Sequence, residues 1–205
     1  MTYELLPALM LFAFTSSITP GPNNLMLMAS GANYGLRRSL PHMFGISLGH
    51  GFMVLVLGLG LLQLFDTLPW LKTALSLVCS LYLLYLAWKI ACAAPPSDVE
   101  PTGKPFTFFQ AAAFQWVNPK AIYMAITAQT NYSPDNAGWI GAVFVALVFV
   151  SINWPSVAVW AWMGTKIRAW LGTSGRLRAF NVTMAALLVL TLWPILKPLI
   201  TGESG

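Results

Sequence analysis

Two proline-containing motifs could create an anion-binding site, because each falls inside a hydrophobic run long enough to cross a membrane. One motif reads Thr-Pro-Gly-Pro-Asn-Asn from residue 19, and the other reads Asn-Pro-Lys from residue 118. Proline removes a backbone donor and clashes with the preceding turn, so each motif predicts a broken helix. The amide groups and dipole of a fresh helix start attract anions. We predict that the two starts meet within the membrane and bind a substrate carboxylate through Pro20, Gly21, Pro22, Asn23, Asn24, Asn118, Pro119 and Lys120. The alternative is that both motifs are kinks packed by neighbouring helices.

Lys120 strengthens the prediction, because a lysine near the centre of a membrane span costs about 2.5–3.5 kcal/mol. The acidic residues all fall near the ends of the hydrophobic runs or between them: Glu4, Asp66, Asp98, Glu100, Asp135 and Glu203. The ammonium is therefore expected to lack compensation and to attract an anionic substrate or carry a proton. The alternative is that its side chain extends to the membrane surface.

Two histidines, His42 and His50, lie in the second hydrophobic run. Their spacing puts them about 80° apart around a helix, too far for a metal pair one turn apart. We predict no metal site and no cofactor. His50 is a candidate for proton coupling, together with Lys120, because histidine titrates near neutral pH. A hydrogen-bonded packing role is the alternative for His50.

Three further side chains are candidates for lining a cavity at the breaks: Gln115, Asn153 and Trp154. Asn153 and Trp154 precede Pro155, where an interruption of the helix is expected, and Pro194 predicts another in the last hydrophobic run. Small residues let membrane helices approach closely. Six glycines of the first half are predicted to serve this purpose: Gly31, Gly35, Gly45, Gly49, Gly58 and Gly60.

The composition identifies the chain as an integral membrane protein. Hydrophobic residues make up 57% of it and charged residues only 8%, with a mean hydropathy of +0.68. A soluble protein needs a charged surface that this chain cannot supply. The formal net charge is +5, but the basic residues are spread through short loops, so this charge does not indicate nucleic-acid binding. The predicted partners are the lipid bilayer and a small substrate.

Six runs are long enough for a helix of about 20 residues, the length that crosses about 30 Å of hydrocarbon. The predicted fold is all-α, with spans at about Leu5–Ser30, Leu40–Phe65, Leu68–Cys92, Phe106–Thr130, Trp139–Met163 and Ala179–Ile200. The first and fourth spans contain the proline breaks.

The basic residues predict the orientation, because Lys and Arg are retained on the cytoplasmic side. The connections after spans one, three and five contain Arg37, Arg38, Lys89, Lys104, Lys166, Arg168, Arg176 and Arg178. Apart from Lys120 in the membrane, the opposite side has Lys72 and Lys197. Both termini are therefore predicted to be periplasmic.

This topology predicts two inverted three-helix repeats, because a set of three spans ends on the side opposite its start. The first repeat covers residues 1–92, and the second covers residues 106–205. Residues 93–105 form a polar, proline-rich cytoplasmic linker between them. Paired interruptions at matching places in two repeats indicate the binding site of a secondary transporter.

The chain resembles the LysE/RhtB superfamily of amino-acid exporters. The resemblance rests on residues 19–23, 35–37, 82–89 and 118–120 and on the Gly45/Gly49 span, and it covers essentially the whole chain. The Asn23-Asn24 doublet and residues 86–91 most resemble the cysteine/O-acetylserine efflux branch. The resemblance implies inner-membrane export of small amino acids, driven by the proton gradient.

The expected function is thus export of small amino acids or derivatives, of cysteine, O-acetylserine, homoserine or threonine type, by alternating access. An intramembrane enzyme is disfavoured, because paired membrane carboxylates, a metal-ligand set and a convincing Ser–His arrangement are missing from the sequence. A channel or membrane scaffold subunit is the alternative. The glycine-rich helix faces allow a homodimer without requiring one.

Overall fold

The structure is a computed structural model, and it describes residues 5–61, 67, 69–93, 104–134 and 138–193. Predictions for the two chain ends, for most of the linker and for a kink at Pro194 lie outside the described residues.

In the described part of the first half, the chain forms four α-helices. They are α1 (Leu5–Ile18), α2 (Pro22–Tyr34), α3 (Leu36–Val56) and α4 (Pro69–Ala91). The end of α3 continues into a π-helical turn at Leu57–Leu61.

The second half also forms four α-helices within the described residues. They are α5 (Phe108–Gln115), α6 (Pro119–Tyr132), α7 (Gly138–Leu171) and α8 (Ser174–Leu190). Thr107 begins α5 with a capping box, and Thr173 caps α8. Such caps satisfy amide groups that the helix itself leaves without a partner.

Both predicted proline breaks are present. The axes of α1 and α2 differ by 54° across a short break. In the second half, a turn at Trp116 and Val117 separates the short α5 from α6. Helix geometry therefore changes where the two proline motifs predict that it should.

Among the residues that the structure describes, two helical stretches are long and apolar enough to cross a membrane, Leu36–Gly60 and Gly138–Arg168. The bent pair of α1 and α2 can provide a third span, and Ser80–Ala91 is a shorter apolar helix. These findings agree with an all-α membrane protein. The exact arrangement of six spans as two repeats stays a prediction.

Helix α7 differs from its predicted course in two ways. It continues past Met163 to Leu171, and it runs through Pro155 without a break. Pro155 therefore does not end the helix, because one missing backbone donor does not end a helix that packed neighbours support, and a kink at this proline stays a prediction.

The glycine prediction holds at several positions but not at all of them. A Cβ on Gly31 would collide with the backbone of Ala161 in α7, and one on Gly49 would lie 2.5 Å from Ala112 in α5. Gly35 and Gly60 instead have positive φ angles of 80° and 118°, and nothing lies within 4 Å of the Cβ that each lacks. They serve backbone conformation rather than packing.

The two halves pack crosswise. Helix α3 contacts α5 and α6, whereas α7 contacts α1 and α2. The long helices α3 and α7 also pack on each other, as do α4 and α8. One buried cluster joins four of these helices and includes Leu9, Met53, Ala125 and Phe149. This arrangement brings the two broken helices together.

Candidate functional site

The two helix breaks are in direct contact through Lys120. Its ammonium donates to the main-chain oxygen of Thr19 at 2.7 Å, to Thr19 Oγ1 at 2.9 Å and to the main-chain oxygen of Pro20 at 3.2 Å. An ammonium has three protons to donate, and here three oxygen atoms are within reach. The ammonium thus has hydrogen-bond partners, but within the described residues they are neutral oxygen atoms and not the carboxylate whose absence the sequence predicted. Its partners are oxygen atoms at the C-terminal end of α1, where the helix dipole favours a cation.

Other side chains also donate hydrogen bonds to main-chain oxygen atoms at the broken end of α1. The Asn24 amide donates to the main-chain oxygen atoms of Ser17 and Thr19, both at 2.8 Å. The indole of Trp160, on α7, donates to the main-chain oxygen of Ile18 at 3.0 Å. A helix end leaves carbonyl groups without partners, which is costly in hydrocarbon. Side chains from α2, α6 and α7 remove that cost here.

The start of α2 is different, because no side chain caps it. Gly21 occupies the capping position, and Pro22 takes the first helical position without contributing an N–H group. The main-chain amides of Asn23 and Asn24 therefore lie in the first turn of an uncapped helix. Such a start favours an anion through both its amide donors and its dipole.

The start of α6 is capped by its own sequence. The Asn118 side chain accepts a hydrogen bond from the Lys120 amide at 3.2 Å, and Pro119 occupies the first helical position. Asn at the capping position followed by Pro in the first turn is a favoured helix start. This cap makes the two helix starts unequal, since only the α2 start lacks a side-chain cap.

A cavity of about 20 Å³ lies between the two breaks. Its volume is enough for about one water molecule. The predicted site residues on its wall are Gly21, Asn23, Asn24, His50, Asn118, Lys120 and Asn153. The wall also contains residues that the sequence analysis did not single out: Ser16, Ser17, Ala121, Met124 and Val157. Pro20, Pro22 and Pro119 shape the backbone beside this wall and do not line it.

Gln115 lies next to this wall and connects the two halves. Its side-chain amide pairs reciprocally with that of Asn23, with N···O distances of 2.8 and 3.2 Å. Gln115 also donates to the main-chain oxygen of Ala111 at 2.9 Å. The pair ties the start of α2 to the end of α5.

Asn153 and Trp154 are neighbours in sequence but have different surroundings. The Asn153 amide donates to Ser17 Oγ at 3.1 Å and accepts from Ser47 Oγ at 2.9 Å, which links α1, α3 and α7. Trp154 is 36% exposed, and its ring lies 5.6 Å from that of Phe44. The structure therefore brings Asn153 to the cavity and does not bring Trp154 there. The sequence did not single out Ser17 and Ser47 as site residues, because a serine in a hydrophobic run often serves only helix packing.

His50 is buried on the cavity wall, with 2% of its surface exposed. Its ring lies 5.2 Å from that of Phe149, and its Nε2 atom has no hydrogen-bond partner among the described residues. Within the same residues, no group of three His, Cys, Asp or Glu side chains could hold a metal ion.

Residues 14–191 match the LysE type translocator family. The chain belongs to this family. It is accordingly a multi-pass inner-membrane transporter and not an enzyme, as the sequence predicted.

Curated relatives agree with the family. The chain is similar to a cysteine/O-acetylserine efflux protein of Klebsiella pneumoniae subsp. pneumoniae, with 30% identity over 92% of this chain and 95% of that protein. Proteins of the same description from Salmonella choleraesuis and from Escherichia coli O1:K1 are each 32% identical over 92% of this chain and 96% of their own length. No solved structure matches the chain.

Proposed function

We propose that this LysE-family protein exports small amino acids or their derivatives across the inner membrane by alternating access. The class of substrate follows from relatives described as cysteine/O-acetylserine efflux proteins and from a site suited to a zwitterion. Homoserine and threonine are the other substrates of this size and charge that the proposal includes.

The observation that carries the proposal is the uncapped start of α2 beside the Lys120 contact. A substrate carboxylate is taken up by the main-chain amides of Asn23 and Asn24, next to the Lys120 ammonium on the same cavity wall. Charge-assisted hydrogen bonds of this kind are among the strongest that proteins make. The side-chain oxygen atoms of Ser17 and Asn153 offer acceptors for the ammonium of the substrate.

The small volume of the cavity supports a cycle in which the site opens and closes. A space of about 20 Å³ takes about one water molecule, so the walls must separate before a substrate can enter. The crosswise packing of the halves suits this motion, because α7 holds the broken pair α1 and α2 while α3 holds α5 and α6. Rocking of one half against the other opens the site to alternate sides, as in other transporters with inverted repeats.

The same packing supports two inverted repeats at residues 1–92 and 106–205, joined by the linker at residues 93–105. Corresponding helices of the two halves make corresponding contacts, with α3 and α7 exchanging partners. Each repeat contributes one broken helix to the site.

We propose that the end of the molecule at which α2, α4 and α7 finish faces the cytoplasm. Arg168 donates to the main-chain oxygen of Asn33 at 3.3 Å, and Asn181 donates to that of Ala93 at 3.3 Å. The basic connections adjoin these residues, and basic residues mark the cytoplasmic side. Both termini are then periplasmic. Reporter fusions to the C-terminus test this, and a cytoplasmic signal contradicts it.

Transport by the purified protein in liposomes tests the function itself. We expect saturable flux of cysteine, O-acetylserine, homoserine or threonine that a proton gradient stimulates. An unsaturable ion current would instead support the channel alternative. Overexpression in cells is expected to protect against toxic amino acids or analogues and to raise their concentration in the medium. The compound against which the cells are protected indicates which amino acid the protein exports.

A further inference from the structure

We propose a second binding site, at which the carboxylate of the cargo is first captured from the cytoplasm. The site is the cavity around His42, between the end of α2, the end of α4 and the residues that precede α5. It rests on the proposed export function and adds a loading step to it.

The cavity has a volume of about 50 Å³ and is separate from the one between the helix breaks. A cavity needs about 10–15 Å³ to hold one water molecule, so this cavity has room for about three to five non-hydrogen atoms. A carboxylate group has three. The polar or charged side chains on its wall include Asn33, Tyr34, His42, Lys89 and Lys104.

His42 is the observation that points to a ligand. Its side chain is only 1% exposed, and neither ring nitrogen has a hydrogen-bond partner among the described residues. An imidazole carries at least one N–H donor in either protonation state, and buried donors are nearly always paired. His42 therefore offers an unused donor on the wall of a cavity that has room for an acceptor.

Phe106 holds His42 and a lysine at the same cavity. The His42 ring stacks on Phe106 with 5.1 Å between ring centroids, and the Lys89 ammonium lies 5.4 Å from the Phe106 centroid. Stacking and cation–π contact restrict both donors to positions around this ring. Lys104, two residues before Phe106, adds a second positive charge. Two ammonium groups and an imidazole donor make a carboxylate the fitting ligand.

The two cavities adjoin the same helices, which makes a path between them short. Met26 lines the His42 cavity, whereas Asn24 lines the cavity at the breaks. On α3, His42 and His50 belong to the two cavities and are separated by about 12 Å at the usual rise per residue. A cargo captured at His42 thus has to move about two helical turns along α2 and α3 to reach the central site.

Inside-out membrane vesicles test the proposal, because their outer face is the cytoplasmic one. Cysteine uptake is measured over a range of concentrations for wild type, for His42→Phe and for the double variant Lys89→Gln with Lys104→Gln. His42→Phe keeps the stacked ring and removes the N–H donors. Loss of a hydrogen bond to a charged group predicts a rise in KM of about tenfold, with kcat within about twofold of wild type. The matched control is Lys166→Gln, an exposed lysine on α7 that lies over Trp162 away from this cavity.

Three outcomes would overturn the proposal while leaving export intact. The first is an unchanged KM in either variant that reaches the membrane. The second is a lysine effect that disappears when the protein is reconstituted without anionic lipids, because the lysines would then bind lipid headgroups. The third is the same rise in KM in Asp98→Asn with Glu100→Gln, because the lysines would then hold the linker. If the wild type moves no amino acid at all, the proposed function fails as well.

Discussion

The ammonium of Lys120 lies 2.7 Å from the main-chain oxygen of Thr19, a residue 101 positions earlier in the chain. A charged side chain from the second half of the molecule thereby donates hydrogen bonds to the broken helix of the first half. The contact gives Lys120 a structural partner as well as a position on the cavity wall. If the substrate carboxylate binds this ammonium as proposed, it competes with the helix end and weakens the contact between the halves. The following predictions test this coupling and the packing around it.

Lys120→Met is expected to reduce export by at least about tenfold, equivalent to about 1.4 kcal/mol of transition-state stabilisation. The substitution removes the charge at the cavity and the hydrogen bonds that Lys120 donates to Thr19 and Pro20, so that Asn24 alone still donates to the main-chain oxygen of Thr19. Flux of the purified variant in liposomes measures the effect, and size-exclusion chromatography checks that it remains folded. Lys166→Met is the matched control, with flux expected to match wild type. Unchanged export by Lys120→Met would remove this lysine from the mechanism.

Gly21→Ala is expected to impair transport while changing stability little. A Cβ at Gly21 would lie 2.8 Å from Lys120 Cδ and 3.1 Å from its Nζ, so the flexible lysine side chain must shift from the position in which it contacts Thr19. The backbone at Gly21 is extended, with φ of 179°, and alanine adopts that conformation without strain. Transport rates and melting temperatures are compared with those of Gly175→Ala, whose Cβ meets nothing within 4 Å. Equal transport by the two variants contradicts the prediction.

Gly164→Ala is expected to destabilise the fold itself. A Cβ at Gly164 in α7 would collide with the main-chain oxygen of Met28 in α2, and backbone cannot rotate away as a side chain can. Overpacking of this kind typically costs about 1–3 kcal/mol. Thermal unfolding in detergent measures the loss, again against Gly175→Ala. A melting temperature equal to that of the control would mean that α2 and α7 are less closely packed than described.

Asn23 and Gln115 are expected to be energetically coupled. Each donates to the other, so either alanine substitution leaves a polar partner unpaired, and the second substitution then has less to remove. Residues in one hydrogen-bond network typically show interaction energies of about 0.5–3 kcal/mol. A double-mutant cycle of Asn23→Ala and Gln115→Ala, followed by unfolding, measures this energy. Strict additivity of the two effects argues against the pair.

His50→Gln tests proton coupling at the central cavity. The buried ring lies on the cavity wall with Nε2 unpartnered among the described residues, and glutamine keeps a polar group of similar reach that does not titrate. We expect the variant to bind substrate and to exchange it across the membrane. Its net flux should lose the stimulation by a pH gradient. Full stimulation in the variant assigns coupling to another group.

The proline motifs made much of the site predictable, because a break in hydrocarbon requires partners for its backbone groups. The sequence therefore indicated where α1 and α6 border the cavity. It did not indicate that Lys120 has partners. Those partners are main-chain oxygen atoms, which every residue has and no sequence pattern distinguishes. A search for acidic side chains could not find them.

The sequence also did not predict that Asn153 and Trp154 have different surroundings, because their surroundings depend on how α7 packs. Helix α7 is apolar around most of its circumference, so periodicity does not reveal which side faces the bundle. Adjacent residues on a helix point about 100° apart, and only the packing against α1 and α3 decides which of them meets the cavity. The continuous course of α7 through Pro155 depends on the same packing.

The carbonyl groups at the end of α1 also suggest how abrupt the motion of this transporter must be. Their donors come from three separate helices, with Asn24 on α2, Lys120 on α6 and Trp160 on α7. If one of those helices swings away alone, its hydrogen bonds to the end of α1 are lost while those from the other two helices still hold it. Intermediate positions are therefore penalised, and the halves should switch between a small number of discrete poses instead of sliding continuously.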